Sequence, residues 1–146
     1  MLWYLIDRIL EYRPNEYISG IKCFTRSESF FTDHFHGFPV VPGVLQIEMV
    51  AATGGKALKM MNPDSHPMLA KVKQAKFHAT IRPGDQCHIK VELKKVRKRY
   101  AETFGVVEVN GKKMSEAEIM YTIQSSSLVD PTWKDPIIDE WEKAQI

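Results

Sequence analysis

The chain has 146 residues, 44% hydrophobic and 26% charged, with a formal net charge of +2, ordinary values for one globular domain that buries roughly two-thirds of its unfolded surface. A near-neutral chain without aromatics interleaved among its basic residues argues against nucleic-acid binding, and no uncharged stretch reaches the ~18–20 residues of a membrane helix. The start, MLWYLIDRIL, lacks the basic n-region of a secretory signal, and Cys23 and Cys87 have neither metal-type nor disulfide-type spacing, so a cytoplasmic protein with structural thiols is expected.

Leu2 to Tyr12 and Tyr17 to Thr25 read as two strands around the turn Arg13-Pro14-Asn15-Glu16. Pro42 to about Met61 is the one long helix, opened by proline in its first turn and ended by Asn62-Pro63-Asp64. Gly54-Gly55 weakens its second half, which predicts close contact with a neighbouring backbone or ligand there. Beyond the helix the pattern turns to period two. Leu69 to Ile81 is a long extended segment closed by Arg82-Pro83-Gly84-Asp85. Cys87, Ile89, Val91 and Leu93 then alternate with polar neighbours, and Tyr100 to Val109 and Lys113 to Ile123 flank the hairpin signal Asn110-Gly111. The expected fold class is α+β, a helix laid on an antiparallel sheet. Residues 1–127 form one domain, and 128–146 are an extension rather than a second domain. In that extension Asp135-Pro136 opens a short helix whose Ile137, Ile138 and Trp141 share a face.

Phe30 to Gly55, FFTDHFHGFPVVPGVLQIEMVAATGG, carries the candidate chemistry. Between Val44 and Gly55 every residue is apolar, small or neutral except Glu48, and a carboxyl buried in such a run needs a partner or stays protonated. His34 lies fourteen residues upstream, a candidate acid/base partner. The helix start at Pro42-Gly43 brings backbone N–H groups near the pair, where they can hold a developing oxyanion. On these residues alone His34 reads more readily as a satisfied loop histidine than as a catalyst, and Glu48 reads as well as a half-exposed or salt-bridged helix residue. His34 and His36 share one side of an extended segment, but without further ligands nearby no metal site is expected. Met49, Met60, Met61 and Met68 read as adaptable core packing or the lining of an apolar tunnel, and Cys87 as a buried strand residue.

The block D-H-F-H-G-F-P-V-V-P-G-V-L-Q-I-E resembles the H-F-P-G-x-P-(I/V)-x-P-G-V-L-x-x-E block of the 3-hydroxyacyl-[acyl-carrier-protein] dehydratases of the FabZ type. L-I-D-R-I-L, E-S-F-F-T-D-H-F, A-K-F at Ala75 to Phe77, P-G-D at Pro83 to Asp85 and the N-G-K hairpin extend the resemblance from Leu5 to about Ser125. It implies a hotdog fold, an antiparallel sheet wrapped around one long central helix. It also implies a homodimer with shared active sites, the histidine from one subunit and the carboxylate from the other, with three dimers commonly forming a hexamer.

The implied reaction is reversible loss of water from a 3-hydroxyacyl thioester to give the trans-2-enoyl thioester, in fatty acid or related acyl-chain synthesis. His34 would take the C2 proton, Glu48 would protonate the departing C3 hydroxyl, and the Gly43 N–H would polarise the thioester carbonyl. No metal or other cofactor is called for. Phe35, Val44, Lys71 and Phe77 are the expected substrate-binding residues. The acidic acyl carrier protein, whose phosphopantetheine presents the substrate, would dock on Lys94, Lys95, Arg97, Lys98 and Arg99. Glutamate at position 48, where isomerising relatives have aspartate, points to the non-isomerising branch. The chain departs from the family pattern at His36 (proline), Ala52 (glutamine), and Lys71 and Lys73 (glycine and an acidic residue), which bears on specificity more than fold. An acyl thioesterase of the same fold, or a non-catalytic acyl- or carrier-binding hotdog protein, are the alternatives.

Overall fold

The computed structural model describes residues 4–125 and 130–145, so the start of the first expected strand and the 127/128 boundary fall outside the described residues. Strands β1 (Arg8–Arg13) and β2 (Tyr17–Cys23) form a hairpin whose turn places Asn15 at φ 64°, with the Glu16 N–H donating to the Arg13 carbonyl at 3.0 Å. Asparagine tolerates that left-handed conformation better than most residues. After a 3-10 turn at Ser29–Thr32 the chain enters helix α1 (Gly43–Met61), followed by β3 (Ser65–Phe77), β4 (Gln86–Val96), β5 (Tyr100–Val109) and β6 (Lys112–Ser125). The six strands pair antiparallel throughout in the order β1-β2-β4-β5-β6-β3.

Alternation decides which sheet face meets α1. Cys87, Ile89 and Val91 of β4, Val107 of β5, and Ile119 and Tyr121 of β6 are all buried and join Met49, Val50, Ala57 and Leu58 of the helix in one core. Between them, His88, Lys90, Glu108 and Glu118 point the other way. Gly105 of β5 lets the helix approach: a side-chain carbon there would collide with Val50. This is the arrangement that the resemblance implied, a sheet carried on one long helix.

The β5–β6 turn is the Asn110-Gly111 pair, both at positive φ (51° and 79°), as a tight two-residue hairpin requires. Several element bounds differ from the sequence reading. Pro42 is the N-cap rather than a first-turn residue, because its carbonyl accepts from both Leu45 and Gln46. β1 starts at Arg8, the Asp7 carboxylate being turned to the Cys23 N–H at 2.7 Å. β3 starts four residues early, at Ser65, and includes Pro67, which an edge strand accommodates. It stops at Phe77 because the N–H groups of His78 and Ala79 both turn to the Met114 carbonyl.

Helix α2 (Pro136–Ala144) is capped by Asp135, whose Oδ1 accepts from the N–H groups of Ile137 and Ile138 at 2.8 and 3.3 Å. Ile137 is buried, and Ile138 and Trp141 pack against the same core, next to β1.

Candidate active site

The candidate residues come from a loop (His34, Phe35), from α1 (Gly43, Val44, Glu48) and from β3 (Lys71, Phe77). His34 sits in the loop between the 3-10 turn and α1, its N–H donating to the Phe30 carbonyl at 3.0 Å. Val40 fixes it twice: the Val40 N–H donates to the His34 carbonyl at 2.9 Å, and His34 Nδ1 lies 3.2 Å from the Val40 carbonyl oxygen. A carbonyl can only accept, so in the neutral ring Nδ1 carries the hydrogen and Nε2 is left as the basic nitrogen. The Phe35 ring stacks on the imidazole with centroids 3.9 Å apart.

Three residues beyond Val40 the helix begins. The first ladder bonds come from Leu45 and Gln46, so the N–H groups of Gly43 and Val44 stand ahead of the ladder. Buried Gln46 braces the junction by donating from Nε2 to the Val41 carbonyl at 3.2 Å. The Phe77 ring covers Gly43 so closely that an added side-chain carbon would sit 3.0 Å from it. Val44 is 72% exposed beside this junction.

Glu48 is on the second turn of α1, half-buried, and lines a cavity of about 260 Å³ with Ala52, Leu69, Tyr121 and Trp133. Tyr121 is buried and donates to the Ala51 carbonyl at 2.8 Å. Burial holds its phenol well above the usual range, and the Glu48 charge adds in the same direction. Ala52, where the family pattern has glutamine, is part of the cavity wall.

His34 is not among the residues lining that cavity. Phe35 lines a separate surface cleft with Phe31 and Pro39. Within one chain the Phe77 ring, at the end of β3, covers Gly43, while Glu48 lines its cavity with Tyr121 and with Leu69, nearer the start of that strand. Lys71 belongs to neither group. It pairs with Met120 on the face turned from α1, and its charge acts on Glu102, which Lys73 holds at 2.6 Å. The lysines of β3 thus face the outer surface of the sheet rather than the Glu48 cavity. Two bulges in β3, at Leu69/Lys71 and Val72/Gln74, shift the alternation, so Lys71 does not take the substrate-side position that the resemblance implied.

Lys94, Lys95, Arg97, Lys98 and Arg99 are exposed at and beside the β4–β5 turn. The Arg99 carbonyl accepts from Ile123, Ile123 pairs with Pro67, and Pro67 lines the Glu48 cavity, so the basic turn stands at the same end of the sheet as that cavity. Buried Cys87 has its thiol pushed up to about 12, chiefly by desolvation, which removes it as a nucleophile. Among the described residues no group of three or more His, Cys, Asp or Glu is arranged to hold a metal, and no helix is long and apolar enough to cross a membrane.

Sequence reasoning missed Tyr121, Trp133 and Asp135 as parts of the Glu48 cavity. Tyr121 is one more apolar position in an alternating strand, and nothing local ties Trp133 or Asp135 to a helix some 80 residues earlier.

The ApeI-like family model, described as ApeI dehydratase, matches residues 12–118. The 3-hydroxyacyl-[acyl-carrier-protein] dehydratase FabZ of Shewanella sediminis (strain HAW-EB3) is 43% identical over 121 residues, covering 80% of this chain and 79% of that protein. Its counterpart in Clostridium acetobutylicum is 38% identical over 121 residues, covering 82% and 86%. Among solved structures, the dehydratase heterocomplex ApeI:P from Xenorhabdus doucetiae matches with a TM-score of 0.62 at 19% identity, over 77% of this chain and 92% of that one. A hypothetical thioesterase with coenzyme A from Streptococcus pneumoniae TIGR4 gives 0.65 at 8% identity, over 81% and 88%. At those identities the two structures share the hotdog fold and nothing finer. The family model and the curated relatives each span most of the sequence, and on that ground this chain belongs to the ApeI-like family of dehydratases.

Proposed function

We propose that the chain is a 3-hydroxyacyl-[acyl-carrier-protein] dehydratase that works as a homodimer with two shared active sites. The observation that supports this reading is what the edge strand β3 touches at its two ends. Phe77 covers Gly43 at the His34 end, and Leu69 lines the Glu48 cavity. Those two positions are eight residues apart on β3, or ~26 Å of extended chain. Among the described residues the strand is unpaired on its outer side, and it exposes Met68, Leu69, Val72 and Phe77, an apolar edge that soluble proteins normally cover. Antiparallel pairing of two such strands about a two-fold axis near Lys73 sets Phe77 of one chain opposite Leu69 of the other. The His34 loop of one subunit then meets the Glu48 cavity of its partner, and both sites are completed at once.

At such a site His34 Nε2 takes the C2 proton, acidified by the neighbouring thioester carbonyl. The Gly43 N–H, at the positive end of α1, stabilises the oxygen as charge gathers on it. Glu48, in its protonated form, gives its proton to the C3 hydroxyl. The C3–O bond breaks, water leaves, and the C2–C3 double bond forms. The carboxylate left behind and the imidazolium restore their protonation states between turnovers. The step calls for no redox or metal cofactor. The acyl chain runs along the wall of Ala52, Leu69 and Tyr121, and the carrier protein rests on the basic β4–β5 turn.

The test is to supply 3-hydroxyacyl and enoyl carrier thioesters and to follow enoyl absorbance and free thiol together. Interconversion without thiol release is expected, and Glu48→Gln should lower it about 10²–10⁴-fold, the usual worth of a positioned general acid. Thiol release would instead make the chain a thioesterase. Binding without either signal would make it a non-catalytic member of the fold.

A further inference from the structure

The cavity beside Glu48 is not closed by the sheet and helix alone. Trp133 and Asp135, which follow β6, form part of its wall. Asp135 is tied on two sides. Its Oδ2 accepts from Lys56 Nζ of α1 at 2.6 Å, with the two side chains 14% and 16% exposed, and its Oδ1 caps α2. Helix α2 is itself docked on the core through buried Ile137. The short segment carrying Trp133 is therefore pinned between α1 and α2.

On its far side Trp133 lines a second cavity, of about 430 Å³, between the end of α1 and α2. Lys59, Trp133 and Asp135 are common to both cavities, so the indole stands where the two meet. Trp133 is 57% exposed and has apolar surface to offer a ligand. The family model ends at residue 118, so this wall belongs to a part of the chain outside the matched region.

We infer that Trp133, held in place by the Lys56–Asp135 ion pair, is the end wall of the acyl channel and limits the length of acyl chain the enzyme accepts. The inference rests on the reading of the Glu48 cavity as the acyl site. Removing the indole joins the channel to the second cavity and lets a longer chain continue into it. Full burial of one methylene gives ~0.8 kcal/mol, about fourfold in kcat/KM, which is the ceiling for each extra carbon admitted because Asp64, Asp139 and Glu142 also line the second cavity.

The test is the ratio of kcat/KM for long over short 3-hydroxyacyl carrier substrates, with thermal melting beside it. Trp133→Ala should raise the ratio tenfold or more, and Trp133→Phe should stay near the parent. Asp135→Asn keeps an α2 cap while removing the ion pair, and should move the ratio the same way by less; if Trp133→Ala does not fold, this variant decides. An unchanged ratio in folded Trp133→Ala and Asp135→Asn would overturn the inference while leaving the dehydratase reading intact. No enoyl product from the parent at any chain length would overturn that reading, and this inference with it.

Discussion

Gly54→Ala should destabilise the protein, although helix propensity alone predicts the reverse. In a helix interior alanine is favoured over glycine by about 0.5–1 kcal/mol. Gly54, however, lies under Tyr121: an added side-chain carbon would sit 2.5 Å from the phenol oxygen and 3.2 Å from Val91 Cγ1. The phenol has nowhere to retreat, being 2% exposed and bonded to the Ala51 carbonyl at 2.8 Å. Overpacking of this kind costs about 1–3 kcal/mol, so the propensity gain is outweighed and a net loss of about 1–2 kcal/mol is expected. With a urea m-value of ~1–3 kcal/mol/M the unfolding midpoint falls by roughly half to one molar. Tyr121→Phe alone should cost ~1 kcal/mol for the lost hydrogen bond. In that background the nearest ring carbon is 3.4 Å away, an ordinary contact, so Gly54→Ala should cost at least ~1 kcal/mol less than in the parent. A stabilised single mutant, or an equal cost in both backgrounds, would refute this account of the paired glycines.

Val72→Lys, at a position 37% exposed near the proposed two-fold axis, brings two new positive charges diagonally across that axis and should convert the dimer to monomer by size-exclusion chromatography, with activity lost in step. Reversing Arg97, Lys98 and Arg99 to glutamate should lower kcat/KM for carrier-bound substrate about tenfold at low salt, and leave turnover of a free pantetheine thioester within about twofold. Exposed Cys23 should react with a thiol reagent in the native protein, and Cys87 only after unfolding. Because burial raises the Cys87 thiol from 9.0 to about 12, its contribution to stability is complete below pH 9.0 and is lost as pH climbs toward 12. Denaturation measured across that window should show the decline in the parent and a smaller one in Cys87→Ala.

The elements that could be read from the sequence are those whose signals are local. Pro42-Gly43 and Asn62 bracket α1 within a residue, Asn110-Gly111 marks the β5–β6 turn, and the alternation from Cys87 to Leu93 names the core face of β4. The paired glycines of α1 were expected to meet a backbone or a ligand; Gly54 meets a tyrosine side chain, which no pattern within the helix encodes. Strand β3 was misjudged at both ends because its limits are set by partners in β6, and its two bulges turn Lys71 to the outer face. His34, Gly43 and Glu48 were named from one continuous block of sequence. That β3, and not β4, is left at the sheet edge beside β6 became visible only with the strand order.

The most direct test of the shared site is subunit mixing. His34→Ala and Glu48→Gln homodimers should each be nearly inactive, having one damaged group in both sites. After the two are unfolded and refolded together, half of the dimers are mixed, and each mixed dimer carries one intact site, so about a quarter of parental activity should return. Activity that stays at the level of the separate mutants, with mixed dimers demonstrably present, would contradict a site built across two subunits.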